Sequence, residues 1–243
     1  MISEKHENVK LSLHELDRFV ASWTAIIAAN KASDEGDFKQ DLINPLSIFL
    51  DAFPPLFNKY VLTGSLTNVW KTSGIKHDEL KNCRVLEWLL DCNGDHGQGS
   101  GILVRLLDLL GKKHISSLAI RGQYYTMTES IPSGEHEHRV DIEIESKDFL
   151  IFIEAKVFAG ETNNQLERYL EIASKKSGNR PYVLIYLTRN GLLPKTTSLQ
   201  GEILPLTWSD VSRVLISHVN DNYLNTHFVG QVIRQFAKHI ANF

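Results

Sequence analysis

From Arg139 to Lys156 the chain first alternates and then runs apolar. Val140, Ile142 and Ile144 interleave with Asp141, Glu143 and Glu145, the period-two pattern of a strand with two unlike faces. Phe149-Leu150-Ile151-Phe152-Ile153 follows without a polar break and ends in Glu154-Ala155-Lys156. Ser146-Lys147-Asp148 is the only polar interruption, so the two segments predict a hairpin turning near Lys147 and Asp148. Antiparallel pairing about that centre sets Ile142 opposite Ile153, Ile144 opposite Ile151 and Asp141 opposite Glu154, and opposed residues share a face. Glu154 and Lys156 are two apart and point the same way. Lys-Asp is not a favoured two-residue turn, so a longer loop stays open. Any register that keeps the isoleucines together also keeps the acids together.

Helical spacing marks Leu11 to Ala29, and a second helix is expected from Phe38 to Phe53, stopped by Pro54-Pro55. Thr63 to Gly74 reads as a loop. A helix from about Asp78 to Leu90, a glycine-rich loop and a helix near Ile102–Leu110 come next. Strands are expected near Ile120–Glu129, Arg139–Glu145 and Phe149–Lys156, then a helix over Asn163–Lys176 and a strand over Tyr182–Leu187. Helices near Trp208–Val219 and Phe228–Ile240 close the chain. The fold class is α/β: a helix, three strands, a helix and a strand, with a central mixed sheet flanked by helices and further helices at both ends. Residues 1–60 are expected to form a helical subdomain or cap, and 75–243 the main domain.

A charged pair at the end of an apolar run costs stability unless something binds there. Two carboxylates, Asp141 and Glu154, with the Ala155 carbonyl between Glu154 and Lys156, suit Mg²⁺, a hard cation that prefers oxygen and keeps several waters; Mn²⁺ is the expected substitute. A solvated salt bridge at a strand edge is the plain alternative, since Glu-x-Lys is a common tripeptide. A cation beside Lys156 is expected to lower its pKa, so that it acts as a base, or it serves as a fixed positive charge.

An Asp followed by a strand ending in Glu-x-Lys resembles the PD-(D/E)xK nuclease superfamily. Gln165 and Tyr169 match the Gln-x-x-x-Tyr often found on the helix after it, and Leu86 to Gly99 (LEWLLDCNGDHGQG) is similar to a block of one branch. Glu129, Arg139 and Trp208-Ser209-Asp210 match that branch too, so the resemblance runs from about Glu79 to Phe236. Val140 stands where the family name has Pro. The resemblance implies a restriction-endonuclease-like core and a Mg²⁺-dependent nuclease, with DNA the favoured substrate and defence against foreign DNA a suggested role. Asp141 and Glu154 would hold metal, Lys156 orient or deprotonate the attacking water, and Gln165 position Lys156, water or phosphate.

Glu79 lies on the helical line of Cys83, Leu86 and Leu90, so its carboxylate points inward. The resemblance makes it an additional metal ligand; a charge favoured at a helix N-terminus is the alternative. Glu87 reads as a solvated pair with Arg84. His96 could approach phosphate or orient the acids, although a loop that packs on the sheet explains it equally. Arg139 fits phosphate contact or a salt bridge, and Tyr169 fits substrate contact or a core margin. His136 and His138 have no third zinc ligand at suitable spacing.

The net charge of −3 does not advertise nucleic-acid binding. Arg168, Lys175, Lys176, Arg180, Arg189 and Lys195, against Glu171 alone, form a basic stretch that could meet a phosphate backbone. The charged N-terminus has no signal-peptide core, and no apolar run spans a bilayer. Cys83 and Cys92 are read as plain thiols, so a cytoplasmic setting is expected. A homodimer or a defence-complex partner is conceivable. The rival reading is a catalytically silent module of this fold that binds nucleic acid or a partner protein.

Overall fold

The computed structural model describes residues 67–132, 139–158, 165–194 and 202–243, with isolated positions between 54 and 64. The chain divides into two compact units, Met1–Thr67 and Asn68–Phe243, and the architecture below is that of the second. The helices expected over Leu11–Ala29 and Phe38–Phe53 lie outside the described residues, as do His136, His138 and Lys195.

Helices α1 (Val69–Ser73), α2 (Glu79–Leu90), α3 (Gly101–Leu109) and α4 (Lys113–Ala119) precede strands β1 (Tyr124–Ser130), β2 (Val140–Ser146) and β3 (Leu150–Ala155). Helix α5 (Gln165–Ser177), strands β4 (Tyr182–Thr188) and β5 (Ile203–Thr207), and helices α6 (Trp208–Asp221) and α7 (Phe228–Ile240) complete the unit. The sheet order is β1-β2-β3-β4-β5. The first three strands are antiparallel, while β3, β4 and β5 run parallel. The mixed α/β sheet has the restriction-endonuclease-like arrangement.

The hairpin register is the one the alternating isoleucines dictate, with Ile142 opposite Ile153 and Ile144 opposite Ile151. These side chains join Leu86, Leu103, Trp208 and Phe236 in the larger core. The other face carries Leu150, Phe152 and Leu184 against Leu166, Tyr169, Leu170 and Ala173 of α5. Helices thus cover both faces of β3, which is buried along its whole length. That is why its sequence is a continuous apolar run rather than an alternation. Among the described residues no helix is long and apolar enough to cross a membrane.

Three elements depart from the sequence reading. Val69–Ser73, read as loop, is a helix capped by Asn68 and docked on α7, with Val69 N–H donating to Gln235 and the Trp70 indole to the Val232 carbonyl. Lys113–Ala119 is a seven-residue helix, too short for a helical period to show, and β1 starts only at Tyr124, after Gly122 at φ +62°. Ile203–Thr207 is a fifth strand. Its Pro205 lies on an edge strand, where a missing N–H is tolerated. Cys83 is buried and Cys92 half-buried, and both are free thiols.

Candidate active site

The sheet brings Asp141, Glu154 and Lys156 together at one end of β2 and β3. Past the Ile142–Ile153 pair the next N–H, that of Ala155, donates to Asp141 Oδ2 at 2.8 Å. Glu154 is 1% exposed. Its Oε1 lies 2.5 Å from Lys156 Nζ and accepts from Gln165 Nε2 at 2.9 Å. Its Oε2 is buried and, among the described residues, has no hydrogen-bond partner. A buried carboxylate oxygen without a donor is costly in an apo site, and it is the fit a hard cation would complete.

Glu79, the first residue of α2, reaches the same place from the other side of the sheet. Its Oε2 accepts the Val157 N–H at 3.0 Å, and its Oε1 lies 3.5 Å from Lys156 Nζ. Among the described residues no three acid, imidazole or thiol side chains converge as a ready metal cage. Glu79 thus engages the Val157 N–H and the Lys156 ammonium, and Asp141, Glu154 and the Ala155 carbonyl lie beside it as the remaining oxygen groups. Mg²⁺, which completes its shell with water, suits such a partial set.

The backbone after β3 is fixed on every side. Lys156 N–H donates to the Leu187 carbonyl at 2.7 Å, and the buried Trp208 indole donates to the Lys156 carbonyl at 3.1 Å. Trp208 opens α6, whose start is held by a Thr207–Asp210 capping box. Its anchoring of Lys156 was not legible in the sequence, although Thr207-x-x-Asp210 is a visible cap signal.

Electrostatics follow from burial and from three carboxylates around one ammonium. Burial, then the Asp141 charge, pushes the Glu154 carboxyl up to about 8, with Lys156 opposing. Burial also raises Asp141, offset by the Ala155 N–H and Lys156. Burial alone would lower Lys156, but Glu154, Asp141 and Glu79 outweigh it and hold the ammonium above its ordinary value. The thiol of Cys83, one turn after Glu79, is pushed well up by burial and by the same acids.

Gln165 Nε2 also reaches the Tyr169 hydroxyl at 2.9 Å, and that hydroxyl donates to the Arg139 carbonyl. Tyr169 is buried, and burial with the Glu154 charge raises it to about 12. It is a strut between α5 and the start of β2. The Arg139 guanidinium binds Glu129 at 2.8 Å, and Arg84 binds the same carboxylate at 3.4 Å. By register Glu129 faces Asp141, between the Thr128–Ile142 and Ser130–Val140 pairs. It has φ +52°, a conformation uncommon for a side chain larger than glycine. Glu87 does not pair with Arg84; it accepts from the Thr126 hydroxyl of β1.

His96 stands elsewhere. Its Nδ1 accepts the Gln98 N–H at 2.9 Å, so its Nε2 carries the proton and donates to the Asp91 carbonyl at 3.0 Å. Asp91 follows α2, ~18 Å along the helix axis from Glu79 at 1.5 Å per residue. The buried His96 ring, edge-on to Trp88, thus holds the glycine-rich loop. The basic stretch is also largely committed: Lys175 pairs with Glu171, Lys176 with Glu143 and Glu145, and Arg180 with Glu145. These three cations neutralise acids that the linear count did not place beside them. Arg168 is half-buried on α5, three residues after Gln165.

The sequence profile of the PD-(D/E)XK nuclease superfamily matches residues 67–238, most of the chain. The chain belongs to this superfamily. No curated protein matches it, and no solved structure does.

Proposed function

We propose that the protein hydrolyses phosphodiester bonds of nucleic acid with the help of Mg²⁺, with DNA the favoured substrate and defence against foreign DNA the suggested setting. The observation that carries this reading is Glu154: fully buried, next to Asp141, with one oxygen lacking a donor among the described residues. Asp141, Glu154 and the Ala155 carbonyl would hold the cation, which supplies a more acidic bound water and neutralises phosphate charge. Lys156 presents a fixed ammonium to the substrate phosphate or the attacking water. Gln165 holds Glu154, Tyr169 ties Gln165 to the Arg139 backbone, and Glu79 with Trp208 fixes the Lys156 main chain. Arg139 and Arg168 remain candidates for substrate phosphate.

The test is cleavage of DNA and RNA, single- and double-stranded, with Mg²⁺, Mn²⁺ or EDTA. Metal-dependent cutting that disappears in Asp141→Asn and Lys156→Ala is the expected result. Equal cutting in EDTA, or by Asp141→Asn, would overturn the reading.

A further inference from the structure

Strands β3 and β4 run parallel and end side by side, so Lys156 leaves one strand end next to Arg189 leaving the other. Between these ends opens a cleft of 370 Å³, lined by Lys156, Phe158, Arg189, Asn190, Leu192 and Pro194 among others. Clefts outside the carboxyl ends of parallel strands are where α/β sheets bind ligands.

Phe158, two residues beyond Lys156, is 65% exposed. Its ring stands 4.9 Å from that of His77 at a steep angle, and the Arg189 guanidinium lies over it, 5.0 Å from the centroid. Arg189 is exposed and, among the described residues, forms no ion pair, unlike Lys175, Lys176 and Arg180. Asn190 Oδ1 accepts the Leu192 N–H at 3.1 Å, so its amide nitrogen is the group left to donate. The cleft thus combines a π surface, a planar cation, an aliphatic wall and an amide donor beside the candidate catalytic lysine.

We propose that this cleft receives one unpaired nucleotide next to the scissile phosphate, its base stacked on the Phe158–Arg189 pair. The preferred substrate is then single-stranded or locally unpaired nucleic acid. The inference rests on the nuclease reading above and names the substrate class of that site. Aromatic rings and guanidinium planes bind splayed bases through their π faces, whatever the base. An intact duplex keeps its bases stacked inside and offers such a ring nothing to cover. The cleft volume also falls at the small end of ligand pockets, roughly 300–1,000 Å³, which fits one nucleotide.

The test separates binding from cleavage. Single-stranded and duplex oligonucleotides of DNA and RNA, each with one 2-aminopurine, are titrated with the protein in Ca²⁺ and read by fluorescence. Single strands are expected to be quenched and bound more tightly than duplex. Phe158→Ala should weaken single-strand binding by roughly tenfold, Arg189→Ala should weaken it too, and Phe158→Trp should retain it. The better-bound sugar identifies the nucleic acid. Equal affinity for duplex and single strand, unchanged by Phe158→Ala, would overturn the proposal even if Mg²⁺-dependent cutting is present. Phe158-dependent quenching without any Mg²⁺-dependent cutting would sustain the cleft and overturn the nuclease reading.

Discussion

Strand β2 carries three carboxylates on one face, and its two ends treat them in opposite ways. At one end Glu143 and Glu145 are met by Lys176 and Arg180, with Ser130 donating to Glu143 at 2.5 Å and Tyr125 to Glu145 at 2.6 Å. Two negative charges face two positive ones, and these carboxylates are well supplied with donors. At the other end Asp141 joins Glu154 and Glu79 around Lys156, and among the described residues no second cation joins them and Glu154 Oε2 has no donor. Both clusters are largely buried and both are costly to assemble. The balanced one is explained by its own contacts; the unbalanced one leaves Glu154 Oε2 without a donor among the described residues, an oxygen that a bound proton or cation would satisfy. Charge excess and an orphaned acceptor, rather than burial or ion pairing as such, mark the second cluster as the candidate site.

This contrast can be broken most sharply by activity. Asp141→Asn and Lys156→Ala should each lower cleavage by at least ~10²-fold, the loss typical of removing a preorganised transition-state group, whereas Lys176→Ala should leave cleavage per folded molecule unchanged. Stability should show the reverse. Lys176→Ala leaves Glu143 buried without its cation and should cost about 3–5 kcal/mol, seen as a lower urea midpoint. Added Mg²⁺ should stabilise wild type by about 2.7 kcal/mol at a hundred times its Kd, and a thermal-shift titration of Asp141→Asn should show little of this.

The two ends should also respond to pH with opposite sign in EDTA. Glu154 is raised to about 8 from an ordinary 4.5, so the fold binds the extra proton and this group's contribution falls as pH rises through that window. Glu154→Gln should therefore gain stability over wild type progressively from pH 4.5 to 8. At Glu145 burial acts upward, but hydrogen bonds from Tyr125, Lys176 and Arg180 bring it down to about 2. Its contribution is complete above 4.5 and is lost as pH falls toward 2. Glu145→Gln should then cost most near neutrality and least in acid. Denaturant midpoints across pH check both slopes. The smallest effect is Trp208→Phe, which removes one donor from the Lys156 carbonyl and should cost about 1 kcal/mol in an unfolding titration.

What was legible in the sequence was whatever a strand's period of two encodes. The isoleucine alternation fixed the hairpin register, and the register carried Asp141 to the Ala155 N–H. The helical line from Glu79 to Leu90 likewise placed Glu79 inward, though its partner proved to be the Val157 amide. Partners distant in sequence were not legible. Nothing in the order of residues shows that Lys176 meets Glu143 or that Trp208 caps the Lys156 carbonyl, because helix packing sets those meetings. Short elements escaped for a different reason: Lys113–Ala119 and Ile203–Thr207 contain too few residues to display a period, and Pro205 reads as a breaker unless the strand is known to be an edge.

A metal site is the proposed home of the donor-less oxygen of Glu154. Calorimetric titration of Mn²⁺ into wild type, Glu154→Gln and Glu145→Gln tests it most directly. Binding to wild type, loss in Glu154→Gln and retention in Glu145→Gln are the expected results. Equal binding by all three proteins, or none by folded wild type, would contradict it.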